Sequence, residues 1–147
     1  MTKIAIGSDH AAFEMKEKVI LLLQSLNIEV IDCGTYSLER ADYPDYAKKV
    51  SHEVLHKHIQ GILLCGSGIG VSIVANRFKG VRAALCRSPY DAEMARKHND
   101  ANVLCLGARV SSVSEIKAII ESWLLHSFEG GRHSDRLKLF ENLGEKV

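Results

Sequence analysis

The stretch Gly61-Ile62-Leu63-Leu64-Cys65-Gly66-Ser67-Gly68-Ile69-Gly70 constrains this chain more than any other. Ile62 to Leu64 is a continuous apolar run, the mark of a strand covered on both faces. It stops at Cys65 and passes at once into a turn with glycine at 66, 68 and 70. Val71 to Phe78 then reads as a helix. The N–H groups of such a turn and the start of such a helix converge on one spot, and glycine lets an anion approach closely. Glycine spacing alone also fits a plain tight connection. Cys65 adds chemistry, because these surroundings favour a thiolate that acts as nucleophile or base. The other reading of Cys65 is a small buried apolar residue.

The rest of the chain alternates in the same way. Strands are expected at Lys3–Gly7, Ile28–Cys33, Val81–Cys86 and Asn102–Gly107. Between them lie helical patterns with a 3.6-residue apolar period. One carries Met15, Val19, Leu22, Leu23 and Leu26, and the next starts at Pro44 and carries Ala47, Val50, Val54 and Leu55. Another runs from Pro89 to about Lys97 and ends at His98-Asn99-Asp100. The most regular stripe is Val113, Ile116, Ile120, Trp123 and Leu124, capped by Ser111, Ser112 or Ser114. A final short helix carries Arg136. Five strands separated by helices argue an α/β domain with a parallel sheet. No linker, repeat or low-complexity tract divides residues 1–147, so one domain is expected.

Ligands of parallel sheets collect at the carboxyl ends of the strands. Those ends carry Asp9 and His10, then Cys65 to Gly70, then Arg109. Capping of a helix also accounts for Asp9. Tyr43, at the end of the loop Gly34–Tyr43, either reaches that edge or only packs. His98 and the late arginines join the edge within one chain or from a second copy. His52 and His56 are four apart, but without an obvious third ligand they read as a solvated face.

Composition excludes several classes. The 147 residues are 46% hydrophobic and 25% charged with a net charge of +1, so no broad field draws nucleic acid or a membrane surface. The start, Met1 to Ile6, enters a strand and reads as neither signal peptide nor membrane span. Four cysteines without C-x-x-C spacing suit reduced thiols in a cytoplasm.

Six stretches in register carry a resemblance. They are Gly-Ser-Asp-His-Ala at 7–11, Val-Ile-Asp-Cys-Gly-Thr at 30–35 and Asp-Tyr-Pro at 42–44. Cys-Gly-Ser-Gly-Ile-Gly at 65–70, Arg-Lys-His-Asn-Asp-Ala-Asn-Val-Leu at 96–104 and Glu-Gly-Gly-Arg-His-Ser-Asp-Arg at 129–136 complete the set. Over almost its whole length the chain resembles the type B ribose-5-phosphate isomerases, in the wider sugar-phosphate isomerase family that includes galactose-6-phosphate isomerase. The resemblance implies a three-layer α/β/α sandwich on a five-stranded parallel, Rossmann-like sheet. It also implies a homodimer or dimer of dimers with the active site at the subunit interface, completed by the tail at about 129–147.

The implied reaction is aldose–ketose interconversion through an enediolate, with no metal and no cofactor. Cys65 matches the base that moves the proton between C1 and C2, and the N–H groups of Gly66, Ser67, Gly68, Ile69 and Gly70 match the cradle of the oxyanion. Ser67 helps shuttle the proton between oxygens, and His98 opens the furanose ring. His10, Arg109, Arg132 and Arg136 match the phosphate contacts, while Asp9, Tyr43 and Asn99 match contacts to the sugar. Many relatives have Thr at Ser67, which keeps the hydroxyl. Some use a glutamate on the following helix in place of the cysteine. Here Ser72 and Ile73 occupy that region, so the cysteine branch applies.

Two rivals remain. One is an isomerase of a six-carbon sugar phosphate, allose 6-phosphate or a galactose-6-phosphate isomerase subunit. The other is a module that binds a phosphorylated ligand without turnover, which has no need of Cys65 and His98 together with the arginines.

Overall fold

The computed structural model describes residues 2–147, so Met1 lies outside the described residues. The strands are β1 (Lys3–Ser8), β2 (Glu29–Asp32), β3 (Gln60–Cys65), β4 (Ala83–Leu85) and β5 (Val103–Gly107). They form one sheet in the order β2-β1-β3-β5-β4, with every pair parallel. The helices are α1 (Phe13–Ser25), α2 (Tyr43–Lys57), α3 (Ile69–Ala75), α4 (Pro89–Asn99), α5 (Val113–Leu125) and α6 (Arg132–Lys138). A 3-10 turn at His10–Ala12 leads into α1.

Strand alternation sorts the core into two halves. Ile4, Ile6, Ile62, Leu64, Leu104 and Leu106 point to one face, against α1, α4 and α5. Ala5, Leu63, Cys65, Val103 and Cys105 point to the other, against α2 and α3. The result is the expected α/β/α sandwich. α2 lies so close to the sheet that a β-carbon on Gly61 would stand 2.7 Å from Val50 and 2.8 Å from Val54.

The strand order reverses between β1 and β3. Connections leave β1 toward β2 on one side and β3 toward β5 and β4 on the other. A crevice opens at such a reversal, beyond the carboxyl ends of the two strands. It falls at Asp9-His10 and at Cys65-Gly66.

The elements differ from expectation at their ends. β4 is three residues rather than Val81–Cys86. α3 starts inside the glycine turn and stops at Ala75 rather than Phe78. One residue explains both. The Asn76 side chain accepts from the N–H of Ala83 at 2.8 Å and donates to its carbonyl at 2.9 Å, so it ends α3 while holding the edge strand. Leu26 and Val113 are half exposed rather than core, because each sits at the end of its helix. On α1 the fully buried positions include Lys16, which composition would place outside. Its Nζ sits 2.8 and 2.9 Å from the two Asp32 carboxylate oxygens, with the rings of Phe13 and Tyr36 beside it. Ser112 is the residue that caps α5, in a reciprocal capping box with Glu115.

Candidate active site

At the carboxyl edge of the sheet the backbone builds the site. Cys65 ends β3 and is only 5% exposed, so the apolar packing of the α2/α3 face holds its position. Its Sγ accepts the N–H of Gly68 at 3.1 Å. Gly68 reaches that geometry at φ 79°, and a β-carbon there would meet the Leu106 backbone at 2.8 Å, so only glycine serves. Ser67 Oγ accepts the N–H of Ile69 at 3.1 Å. The turn's N–H groups at Gly68 and Ile69 therefore already serve the sulfur and the turn. A developing oxyanion is left with those of Gly66, Ser67 and Gly70.

Neighbouring elements close around this turn. Arg109, just past β5, donates its N–H to the Gly66 carbonyl at 2.9 Å. Its side chain lies over Gly66, with Cδ 3.3 Å from where a β-carbon would stand. The Tyr43 ring lies against Gly70 so closely that a β-carbon there would be 2.5 Å from it. Asp9 is buried and accepts the N–H of Ala12 at 3.2 Å, so the capping role is real. His10 Nδ1 lies 3.1 Å from both the N–H and the carbonyl oxygen of Ala41, which fixes the ring and leaves Nε2 to meet a ligand. Arg87, at the end of β4, brings a guanidinium to the end of β5, 2.7 Å from a β-carbon position on Gly107. Sequence reading passed over Arg87, although its place after a strand was the available signal.

The other three cysteines are chemically quiet. Burial pushes the thiol of Cys33 up to about 11 and that of Cys86 up to about 12. Burial also raises Cys105 strongly.

His98, Asn99, Arg132 and Arg136 are not brought to Cys65 within the chain. α4 runs back across the sheet, and its last residues lead into the start of β5 beside the start of β3. A strand rises about 3.3 Å per residue, so β5 separates the two edges by roughly 15 Å. At this amino edge the N–H of Glu129 donates to the Lys97 carbonyl at 3.1 Å, tying the tail to the end of α4. His98 Nε2 then lies 3.5 Å from a Glu129 carboxylate oxygen, and its ring stacks on His133 at 4.2 Å and 17°. Arg132 and Arg136 are exposed on α6. Sequence reading did not single out Glu129 or His133 as partners of His98.

A cleft of about 580 Å³ also opens at the amino edge, with Phe78, Arg82, Asn99, Leu137 and Phe140 in its wall. It lies away from the sulfur and the glycine turn, and its wall mixes apolar side chains with Asn76, Asp100 and Glu141. His52 and His56 stand 6.0 Å apart edge to face, and His52 packs its edge on Phe78 at 5.6 Å. Among the described residues they gather no third ligand. No helix among the described residues is long and apolar enough to cross a membrane.

Known proteins match the chain over most of its length. A family profile described as ribose/galactose isomerase matches residues 4–140. The ribose-5-phosphate isomerase B of Escherichia coli is 47% identical over 139 residues, covering 94% of this chain and 93% of its own. A solved ribose 5-phosphate isomerase from Thermotoga maritima superposes with a TM-score of 0.94 at 51% identity, covering 97% of this chain and 99% of that one. A ribose-5-phosphate isomerase B from Clostridium thermocellum superposes equally, with a TM-score of 0.94 at 43% identity over 95% of each chain.

Proposed function

The chain belongs to the ribose/galactose isomerase family, and on that premise we propose that it interconverts ribose 5-phosphate and ribulose 5-phosphate. One observation carries the chemistry: a sulfur that accepts an N–H at the strand reversal, between His10 and Arg109. The reaction removes a proton from the carbon beside a carbonyl and returns it to the neighbouring carbon. Cys65, ionised, takes that proton from C2 of the aldose and returns it to C1, and a positioned base contributes typically about 10²–10⁴ in rate. The negative charge that builds on oxygen meets the unused N–H groups of Gly66, Ser67 and Gly70. One such donor is worth roughly 10²–10³ in rate. The Ser67 hydroxyl relays the second proton between the two oxygens. No step requires a metal or an organic cofactor.

Phosphate is met by His10 and Arg109, with Asp9 and Tyr43 toward the sugar hydroxyls. The ring-opening acid His98, its neighbour Asn99, and the further phosphate ligands Arg132 and Arg136 come from a second copy. Support comes from the separation of the two edges and from apolar side chains left exposed beside each. Ile69, Ile73 and Val110 stand exposed near the cysteine, and Leu139, Phe140 and Leu143 stand exposed on the tail. A homodimer, alone or paired again, joins those surfaces. Residues 1–147 act as one domain, with the tail from about 129 serving the partner's site. Four free thiols suit a cytoplasmic setting.

The test is conversion of ribose 5-phosphate by purified protein in EDTA, beside Cys65→Ala. The expected result is turnover that resists chelation and falls about 10²–10⁴ in the variant. No turnover by the parent protein, with turnover of allose 6-phosphate or galactose 6-phosphate instead, moves the assignment to a six-carbon substrate. Full activity in Cys65→Ala removes the named base.

A further inference from the structure

Among the described residues one group of metal-ligating side chains stands apart from the cysteine turn: His98, Glu129 and His133. One ligand atom from each lies within 4.8 Å of the others. A cation of the zinc class holds nitrogen and oxygen ligands about 2.0–2.2 Å away, which puts them within roughly 4 Å of each other. The imidazoles of His98 and His133 are stacked at 4.2 Å and 17°, so the more exposed His98 ring turns out of the stack for both nitrogens to face one ion. The group is also held together by the backbone. The N–H of Glu129 is bonded to Lys97, and that of His133 donates to Gly130 at 3.2 Å. Between them Gly130 and Gly131 turn the chain at φ 70° and 59°, which sets both side chains against the end of α4. His133 is buried, while His98 and Glu129 remain partly open to solvent, so an ion has a path in.

We propose that His98, Glu129 and His133 bind a borderline d-block cation of the zinc class, and that its binding inhibits the enzyme by occupying His98. The inhibitory half rests on the reading of His98 as the ring-opening acid. Two imidazoles and one carboxylate make a donor set for zinc, cobalt or nickel rather than for magnesium or calcium. Arg132 and Arg136 sharpen that choice. Their charge opposes a cation held by field alone, while strong nitrogen ligation overcomes it. The ion plays no part in turnover. It engages His98 Nε2, which is then unable to deliver a proton to the sugar oxygen.

The experiment is a titration of EDTA-stripped protein with Co²⁺, read by its visible d–d bands, with Zn²⁺ as competitor and Mg²⁺ as control. The expected result is one Co²⁺ per chain, displaced by Zn²⁺ and ignored by Mg²⁺. Glu129→Gln and His133→Gln each weaken binding by more than the roughly 10–100-fold that loss of an outer-shell partner costs. Zn²⁺ suppresses ribose 5-phosphate turnover in step with occupancy and EDTA restores it, while the turnover that each variant retains, whatever its level, no longer responds to Zn²⁺. Binding unchanged in both variants, or bands showing sulfur ligation, overturns the site and points to Cys65. Zinc bound at the site without inhibition overturns the inhibitory half. If the parent protein turns over no ribose 5-phosphate, the functional assignment fails, and the cobalt spectrum still decides the site.

Discussion

At the carboxyl edge of the sheet each candidate residue is fixed by main chain. Cys65 takes an N–H from Gly68, His10 is pinned by Ala41, and Arg109 is tied to Gly66 through its own N–H. At the amino edge side chains fix one another: His98 rests on Glu129 and His133, on a segment turned by two glycines. The first kind of site is rigid and nearly complete before a ligand arrives. The second presents an acid held by neighbouring side chains, with exposed arginines and no nucleophile. On the roles proposed above, a sheet-length of separation calls for two chains to complete one site.

The largest effect comes from forcing the two edges to come from different chains. Cys65→Ala and His98→Asn proteins, each nearly inactive, are unfolded together and refolded as a mixture. A two-fold dimer with shared sites gives hybrids with one intact site, and recovery of roughly a quarter of parental activity is expected. Recovery at the level of the separate variants would mean that one chain completes its own site, and the contrast between edges would lose its functional meaning.

A smaller effect tests how the rigid edge is held. Lys16→Met removes both contacts to Asp32, which also accepts the N–H of Gly34 at 2.9 Å at the head of the loop leading to Ala41. A fully buried broken pair costs about 3–5 kcal/mol, and Asp32 is 31% exposed, so about 1–3 kcal/mol is expected from denaturant unfolding. KM should rise as His10 loses its support, with kcat less affected. Unchanged stability and KM would show that the loop holds itself.

The smallest effect lies at the amino edge. The folded state depresses the proton affinity of His133, so below its unfolded pKa of about 6.5 the unfolded chain binds more protons. The stability that neutral His133 contributes is present above that value and is lost as pH falls through the folded value. His133→Gln, compared with the parent in EDTA across pH 5 to 7, should flatten the fall in unfolding free energy toward acid. An equal slope in both proteins would place the titration elsewhere.

Much of this was legible before any coordinates. The run Ile62–Leu64 marked a strand buried on both faces, and Gly66, Gly68 and Gly70 marked the tight turn between that strand and the next helix. Strand ends named Asp9, His10 and Arg109, because parallel sheets place ligands there whatever their loops. Helix stripes set the layers, since apolar period is a local property of the chain. The start of β4 and the end of α3 were not legible, because Asn76, just past α3, pairs its side chain with Ala83, seven residues away. Lys16 was not legible either, since its burial depends on Asp32 arriving from β2.

The sequence by itself determined the fold class and the glycine turn that follows Cys65, because each rests on local pattern along the chain. Only the tertiary structure decided that the Gly68 N–H goes to Cys65, that Tyr43 covers Gly70, and that His98 sits with Glu129 and His133 a sheet-length from the sulfur. Those facts depend on where helices end after crossing the sheet, and on which loops meet there. Distance along the chain carries no record of either.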